Sequence, residues 1–334
     1  MFIVSSYSLA IIFCVIIMLC WGSWGNTQKL AGKTWRYELF YWDYVIGVLL
    51  LSLIFAFTIG SHGGSGRGFL EDLAQADMKN IGSAFLGGII FNAANILLSA
   101  AIAIAGMSVA FPVGIGLALV LGVIINYLGA QKGDPLFLFL GVGLVTIAII
   151  INAFAYKKAS SGGQKVTSKG IIISICAGLL MSFFYRFVAA SMDLNNFESP
   201  AAGLMTPYTA MVVFAVGIFL SNFIFNTIVM KKPMNGGETT NYKTYFKGKF
   251  SIHSVGILGG IIWGIGNSFN LIAAGKAGAA ISYGLGQGAT LVAALWGVFI
   301  WKEFKNSPKG TNSMLAIMFL FFIAGIISII YAGQ

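Results

Sequence analysis

Three sets of polar side chains interrupt otherwise apolar runs of this 334-residue chain. Asn92, Asn95 and Ser99 are spaced i, i+3 and i+7, which places them on one face of a helix. Asn267 and Asn270 repeat the i, i+3 spacing, and Tyr283, Gln287 and Thr290 line another face. Amides and hydroxyls both donate and accept hydrogen bonds, so a ring of them suits an uncharged, hydrogen-bonding solute. Trp21 and Trp24 add flat faces on which a heterocycle or a sugar ring can stack. The candidate solute-binding residues are therefore Asn92, Asn95, Asn267, Asn270, Tyr283, Gln287, Trp21 and Trp24. The competing reading makes the same amides interhelical glue.

Charged residues in apolar surroundings are costly and invite a functional reading. Glu38 and Asp43 lie among Trp35, Tyr37, Phe40, Tyr41, Trp42 and Tyr44, a cluster of the kind that marks a membrane–water interface. Asp43 falls about one turn inside its apolar run. Desolvation there would let it exchange a proton, with Glu38 the alternative coupling group; the other reading is a carboxylate that simply faces water. Arg186, in FFYRFVAASMD, either snorkels to the interface or partners Asp43 or Glu38. No catalytic constellation is present. The two histidines, His62 and His253, fall in or next to loops, and there is no HExxH, GxSxG or phosphate-binding loop. Cys14, Cys20 and Cys176 sit in apolar runs without a CxxC and read as packing residues. No enzymatic activity, metal or cofactor is expected; a proton gradient is the expected driving force.

The elements that carry these residues follow from composition. The chain is 58% hydrophobic and 9% charged, against about 25% charged in soluble domains. Long apolar runs without strict alternation read as membrane-crossing helices, since only helices or closed barrels satisfy their backbone in hydrocarbon. We expect ten spans, at residues 7–27, 38–60, 81–105, 107–128, 135–156, 169–191, 206–230, 254–275, 278–301 and 312–332. The first run lacks a basic leader and a small-residue cleavage site, so it reads as a retained span and not a signal peptide.

One passage is written twice, about half the chain apart. GGIIFNAANILLSAAIAIAGMSVAFPVGIG begins at residue 87 and GGIIWGIGNSFNLIAAGKAGAAISYGLGQG at residue 259, so that Asn95 and Asn267 correspond at a spacing of 172 residues. The predicted fold is an all-α integral membrane protein of ten helices, built as two inverted five-helix repeats. They span residues 1–156 and 169–334, joined by a linker at 157–168, with the solute site at the midplane. Close packing accounts for the Gly284/Gly288 and Gly260/Gly264 pairs; a hinge at Pro112 or Gly284, equivalent in the repeat, is the alternative. Fifteen of the twenty Lys and Arg fall on the connections at one side. The positive-inside rule makes that side cytoplasmic and leaves both termini outside. The same loops and the anionic inner leaflet account for the net charge of +10 without a nucleic-acid partner. The expected partners are a small-molecule solute and the lipid bilayer. The sequence leaves the oligomeric state open.

WGSWGNTQKL followed by ELFYWDY, TPYTA at 206–210 and ISYGLGQGATLVAALWGVFIWKEF at 281–304 resemble the ureide permease family and its bacterial relatives. These belong to the drug/metabolite transporter superfamily, near the glucose/ribose and rhamnose sugar transporters. The resemblance covers nearly the whole chain. It implies import of small polar organic solutes, often with protons, through a cavity made by the first, third, fourth, sixth, eighth and ninth spans. Many superfamily members have cytoplasmic termini, against the charge distribution here. The expected function is alternating-access symport of a small neutral solute, ureide or nucleobase-like, with a sugar as the alternative. A receptor or scaffold that moves nothing is the reading from a different class.

Overall fold

The computed structural model describes the chain except residues 33, 106–109, 160–167, 235 and 303, and except the side chains of 102, 103, 105, 111 and 112. Most of the linker and the Pro112 side chain therefore lie outside the described residues. Within them the regular structure is helical, with one isolated bridge between Met192 and Met205. Among the described residues, nine stretches are long and apolar enough to cross a membrane. They comprise α1 (Tyr7–Ala31), α2 (Tyr37–Phe57), α4 (Met78–Ala105), α6 (Pro135–Ala159), α7 (Ser168–Ala190), α8 (Pro207–Lys231), α10 (Phe250–Ala277), the broken stretch Ala279–Ile300, and α13 (Thr311–Tyr331). A shorter apolar helix occupies Val113–Gly129. Its α-helical part is α5 (Gly116–Gly129), entered through a π-helical turn at Phe111–Ile115. Helix starts carry the expected chemistry: Ser6 caps α1 through Leu9 N–H, and Thr206 caps α8 through Thr209 N–H with Pro207 at the first helical position.

Three features depart from the expected spans. The connections after α2 and α8 contain short helices, α3 (Phe69–Gln75) and α9 (Tyr242–Phe246). The ninth span is not continuous. It runs as α11 (Ala279–Gly286) and α12 (Ala289–Leu295), broken at Gln287–Gly288, and ends in a π-helical turn at Trp296–Ile300. The glycines flanking Gln287 let α1 press against the break, since a Cβ on Gly286 would collide with Trp21 and one on Gly288 with Met18. Gly284 lies in α11, three residues before the break.

Packing turns on the doubled Gly-Gly. α4 packs against α7 and α8, and α10 against α1 and α2. A Cβ on Gly88 would overlap the Phe214 carbonyl oxygen of α8, and one on Gly217 that of Phe85 in α4. At the other crossing a Cβ on Gly260 would overlap the Tyr44 carbonyl oxygen of α2, and one on Gly47 that of Ile257 in α10. The neighbouring glycines face the other way, Gly87 onto Val188 of α7 and Gly259 onto Thr27 of α1. Each Gly-Gly thus lets one helix approach two partners closely, as small residues do in membrane bundles, where backbones in near contact gain dispersion and Cα–H···O contacts.

The end that holds both termini is tied together by side-chain hydrogen bonds. Arg67 donates to Asp72 Oδ1 at 2.9 Å and to the carbonyls of Pro200 at 2.6 Å and Leu204 at 2.7 Å. Asp72 Oδ2 accepts Thr206 N–H at 2.7 Å, which ties the α3 segment to the start of α8. Phe197 covers Gly275, whose carbonyl accepts Lys132 Nζ at 2.9 Å. Burial, and secondarily the nearby Lys276, lowers the Lys132 ammonium below its ordinary value.

Candidate solute cavity and a buried carboxylate cluster

A cavity with about 600 Å³ of atom-free space, its mouth included, lies in the middle of the bundle. Trp21 and Trp24 of α1, Trp263 of α10, and Gln287, Ala289 and Thr290 at the broken ninth span form one wall. Phe91, Asn95 and Leu98 of α4, Ile115, and Met181 and Phe184 of α7 form the other. The aromatic groups are ordered. Trp21 and Trp263 lie nearly parallel, 9° apart with centroids at 6.1 Å, and Phe91 approaches Trp263 at 4.4 Å. Polar groups are few and placed between them. Asn95 donates its amide to Tyr41 Oη at 3.2 Å. Gln287 is held at the helix break, where Thr290 Oγ1 donates to its carbonyl at 3.0 Å. Trp21 Nε1–H is buried without a hydrogen-bond partner. Its edge lies against Gly266 of α10, where a Cβ would collide with Cδ1 and Nε1, so this donor faces the helix and not the cavity.

The cavity brings together Asn95, Gln287, Trp21 and Trp24. The other candidates lie outside its wall and connect helices. Asn92 donates to Ser221 Oγ of α8 at 2.9 Å. Asn267 donates to Met211 Sδ of α8 at 3.1 Å. Asn270 donates to the Ser282 carbonyl at 2.9 Å and its own carbonyl accepts Ser282 Oγ at 2.9 Å, clamping α10 to α11. Tyr283 Oη lies 3.3 Å from the carbonyls of Ala118 and of Met181, over Gly122. Spacing placed Asn92 with Asn95 on one face; three residues of helix turn them to different neighbours. Phe91, Trp263, Met181 and Phe184 were not singled out, because an aromatic or Met inside a span looks the same in sequence whether it meets a cavity or a neighbour.

A second constellation lies toward the end bearing the basic connections. Asp43 is 1% exposed, and its carboxylate meets three side chains. Oδ1 accepts Tyr245 Oη–H at 2.6 Å and lies 2.7 Å from His253 Nδ1; Oδ2 accepts Trp35 Nε1–H at 3.0 Å. The rings of Trp35 and Tyr245 stand edge-on to His253 at 5.1 and 4.8 Å. Asp43 does not face water, because α9 and the Trp35 segment roof it. The surrounding aromatic residues Trp35, Tyr41, Trp42 and Tyr44 are buried as well. Burial and the hydrogen bond to Asp43 hold the Tyr245 phenol far above its ordinary value, so it remains a donor. Glu38 is also buried, paired to Arg36 Nη2 at 2.8 Å, while its backbone carbonyl accepts Asn226 Nδ2–H at 2.8 Å. Arg186 lies over Gly129 at the opposite end of the bundle, which separates it from both carboxylates. His253 was passed over as a loop neighbour. α10 begins at Phe250, four residues earlier than expected, and takes the ring inside.

Membrane-crossing helices around an aromatic cavity with a few amides define an integral membrane transporter. The chain belongs to the ureide permease family, whose model matches residues 40–169 and 156–332. It is 24% identical to ureide permease 1 of Arabidopsis thaliana, over 98% of this chain and 97% of that protein. Ureide permease 2 of the same plant is 25% identical over the same shares. A Streptococcus pyogenes protein named "Putative sugar uptake protein" is 26% identical over 90% of this chain and 91% of its own. A crystal structure of another protein aligns with a TM-score of 0.57 at 15% identity, over 97% of this chain and 96% of that one, a likeness of fold. As a permease the protein is not an enzyme.

Proposed function

We propose that the protein is a secondary active importer of a small, neutral, polar solute of the ureide or nucleobase type, coupled to protons and working by alternating access. The observation that carries this reading is the cavity. Nearly parallel indoles offer faces to a planar solute, while Asn95 and Gln287 address its polar edges. A sugar is the second reading, favoured by the Streptococcus pyogenes relatives. Uptake of labelled allantoin, uracil and glucose into proteoliposomes under an inward proton gradient tests it. Accumulation of none of them would leave a receptor or scaffold.

Alternating access rests on an internal symmetry that the neighbour relations support. Moving five spans along the chain turns α4 on α7 and α8 into α10 on α1 and α2. It turns Gly88 at Gly217 into Gly260 at Gly47. It also turns Asn95 at Tyr41 into Asn267 at Met211, each partner six residues before the matching glycine of its helix. The moving bodies under this reading mix the two halves: α1, α2, α10 and the broken ninth span against α4, α5, α7 and α8. Each supplies one wall of the cavity.

Two measurements bear on these assignments. Gln287→Ala is expected to weaken solute binding with little change in melting temperature, and Asn95→Ala, whose amide also joins α4 to Tyr41 of α2, to weaken binding and lower the melting temperature together. Each lost hydrogen bond costs about 0.5–1.5 kcal/mol, a factor of roughly two to ten or more in Kd. Asn92→Ala and Asn267→Ala, whose amides join helices, should lower the melting temperature and leave affinity unchanged. Reversal of that pattern would remove Asn95 and Gln287 from the site. For orientation, the charge distribution places both termini outside the cytoplasm. A C-terminal phosphatase fusion should be active and a fluorescent-protein fusion dark; the opposite result inverts the assignment.

A further inference from the structure

The geometry points to His253 as the residue through which Asp43 exchanges its proton with water at the end of the bundle bearing the basic connections. The inference rests on the reading of Asp43 as the coupling carboxylate. Three side chains hold that carboxylate, and they differ in what they can do. Trp35 Nε1–H only donates. Tyr245 has one hydroxyl proton and is committed as a donor to Oδ1. His253 is the partner that can reverse its role. Its Nδ1 donates when Asp43 is ionised and accepts when Asp43 carries the proton, so the 2.7 Å bond persists in both states.

Exposure gives the direction of the path. The Asp43 side chain is 1% exposed and that of His253 18%, so the imidazole lies between the buried acid and water. At this end, which the charge distribution makes cytoplasmic, import requires release: Oδ1 of the protonated Asp43 gives its proton to Nδ1 of the neutral imidazole, and the Nε2 proton passes to water. One proton leaves, one carboxylate forms, and the imidazole ends neutral as the other tautomer; loading from this side runs the same steps backwards. The contact depends on two glycines. A Cβ on Gly256 would strike Asp43, and one on Gly248 would strike both His253 and Trp35. The groups facing the imidazole are Asp43 from α2, Tyr245 from α9 and Trp35 from the segment before α2. Lys247 and Lys249, on the segment leading into α10, are exposed.

The chain holds two histidines, so His62→Gln leaves one imidazole to observe. Nitrogen-15 NMR of that protein in nanodiscs should show a titrating imidazole whose Nδ1 resonance and midpoint both move when Asp43→Asn is added. An imidazole that titrates alike with and without the carboxylate overturns the relay, whatever the variants do in transport. In proteoliposomes His253→Gln keeps a hydrogen-bonding amide near Asp43 and removes the titration. Its initial rate of proton-driven uptake of labelled allantoin or uracil should fall by about a hundredfold. Counterflow exchange and the melting temperature should stay near the parent values, which a purely structural histidine would not allow. Uptake by His253→Gln with the parent's pH profile, beside an inactive Asp43→Asn, removes the relay and leaves the coupling reading standing. Accumulation by Asp43→Asn at the parent level removes both. Should His253→Gln fail to fold, the NMR titration decides.

Discussion

Asp43→Asn is expected to abolish solute accumulation driven by a proton gradient while leaving counterflow exchange intact. The asparagine fits the site with its carbonyl in place of Oδ2, accepting from Trp35, and its amide in place of Oδ1, donating to a neutral His253. It resembles the protonated acid and cannot give the proton back. The effect is large because the driving force is large. One pH unit supplies about 1.4 kcal/mol per proton, and 100 mV of membrane potential about 2.3 kcal/mol. Together these sustain a concentration ratio of several hundred, since each 1.4 kcal/mol is about tenfold. In the variant the ratio should fall to one. The check is steady-state uptake of labelled allantoin or uracil with and without a protonophore, beside counterflow on the same vesicles. A variant that concentrates solute like the parent would move coupling to Glu38 or away from both carboxylates.

The second large effect concerns the two helix crossings. Gly260→Ala and Gly88→Ala each place a methyl group on a carbonyl oxygen of the facing helix, Tyr44 or Phe214. A flexible side chain could swing away; a backbone carbonyl cannot without moving its helix. Overpacking of this kind costs about 1–3 kcal/mol, and Gly→Val at either site is expected to leave little folded protein. Gly82 in α4 and Gly143 in α6 are the controls, since a Cβ there meets nothing within 4 Å. Alanine at the controls should match or slightly exceed the parent, as alanine has the better helix propensity. Fluorescence-detected size exclusion after heating separates the two classes. If Gly260→Ala melts with the parent, the doubled Gly-Gly is not what sets the crossing.

The two effects meet at the α2–α10 crossing. Asp43 and Tyr44 are neighbours in α2, and Gly256 and Gly260 are one turn apart in α10. Gly256 leaves room for the carboxylate and Gly260 for the backbone. Shifting this crossing would therefore displace the Asp43–His253 contact as well.

The apolar runs determine their own secondary structure. A stretch of about 20 residues in hydrocarbon must close its hydrogen bonds within itself, whatever its neighbours are. That is why most spans are legible from residue types alone, and why Gly-Gly followed by Ile-Ile could be noticed twice. The interruptions were less legible. Gly286 and Gly288 flank the break at Gln287, yet in sequence they read like any glycines of a closely packed membrane helix, and Trp21 and Met18 do press on them. The site depended on tertiary structure for a geometric reason. Helical periodicity fixes the angle of a side chain about its own axis, but not which helix stands opposite. Asn95 turns to a cavity, whereas Asn267, its counterpart in the doubled passage, turns to Met211 and lies outside the cavity wall. Asp43 and His253 are 210 residues apart and share no local pattern. Their meeting is decided by the α2–α10 crossing, where glycines on both helices allow the approach.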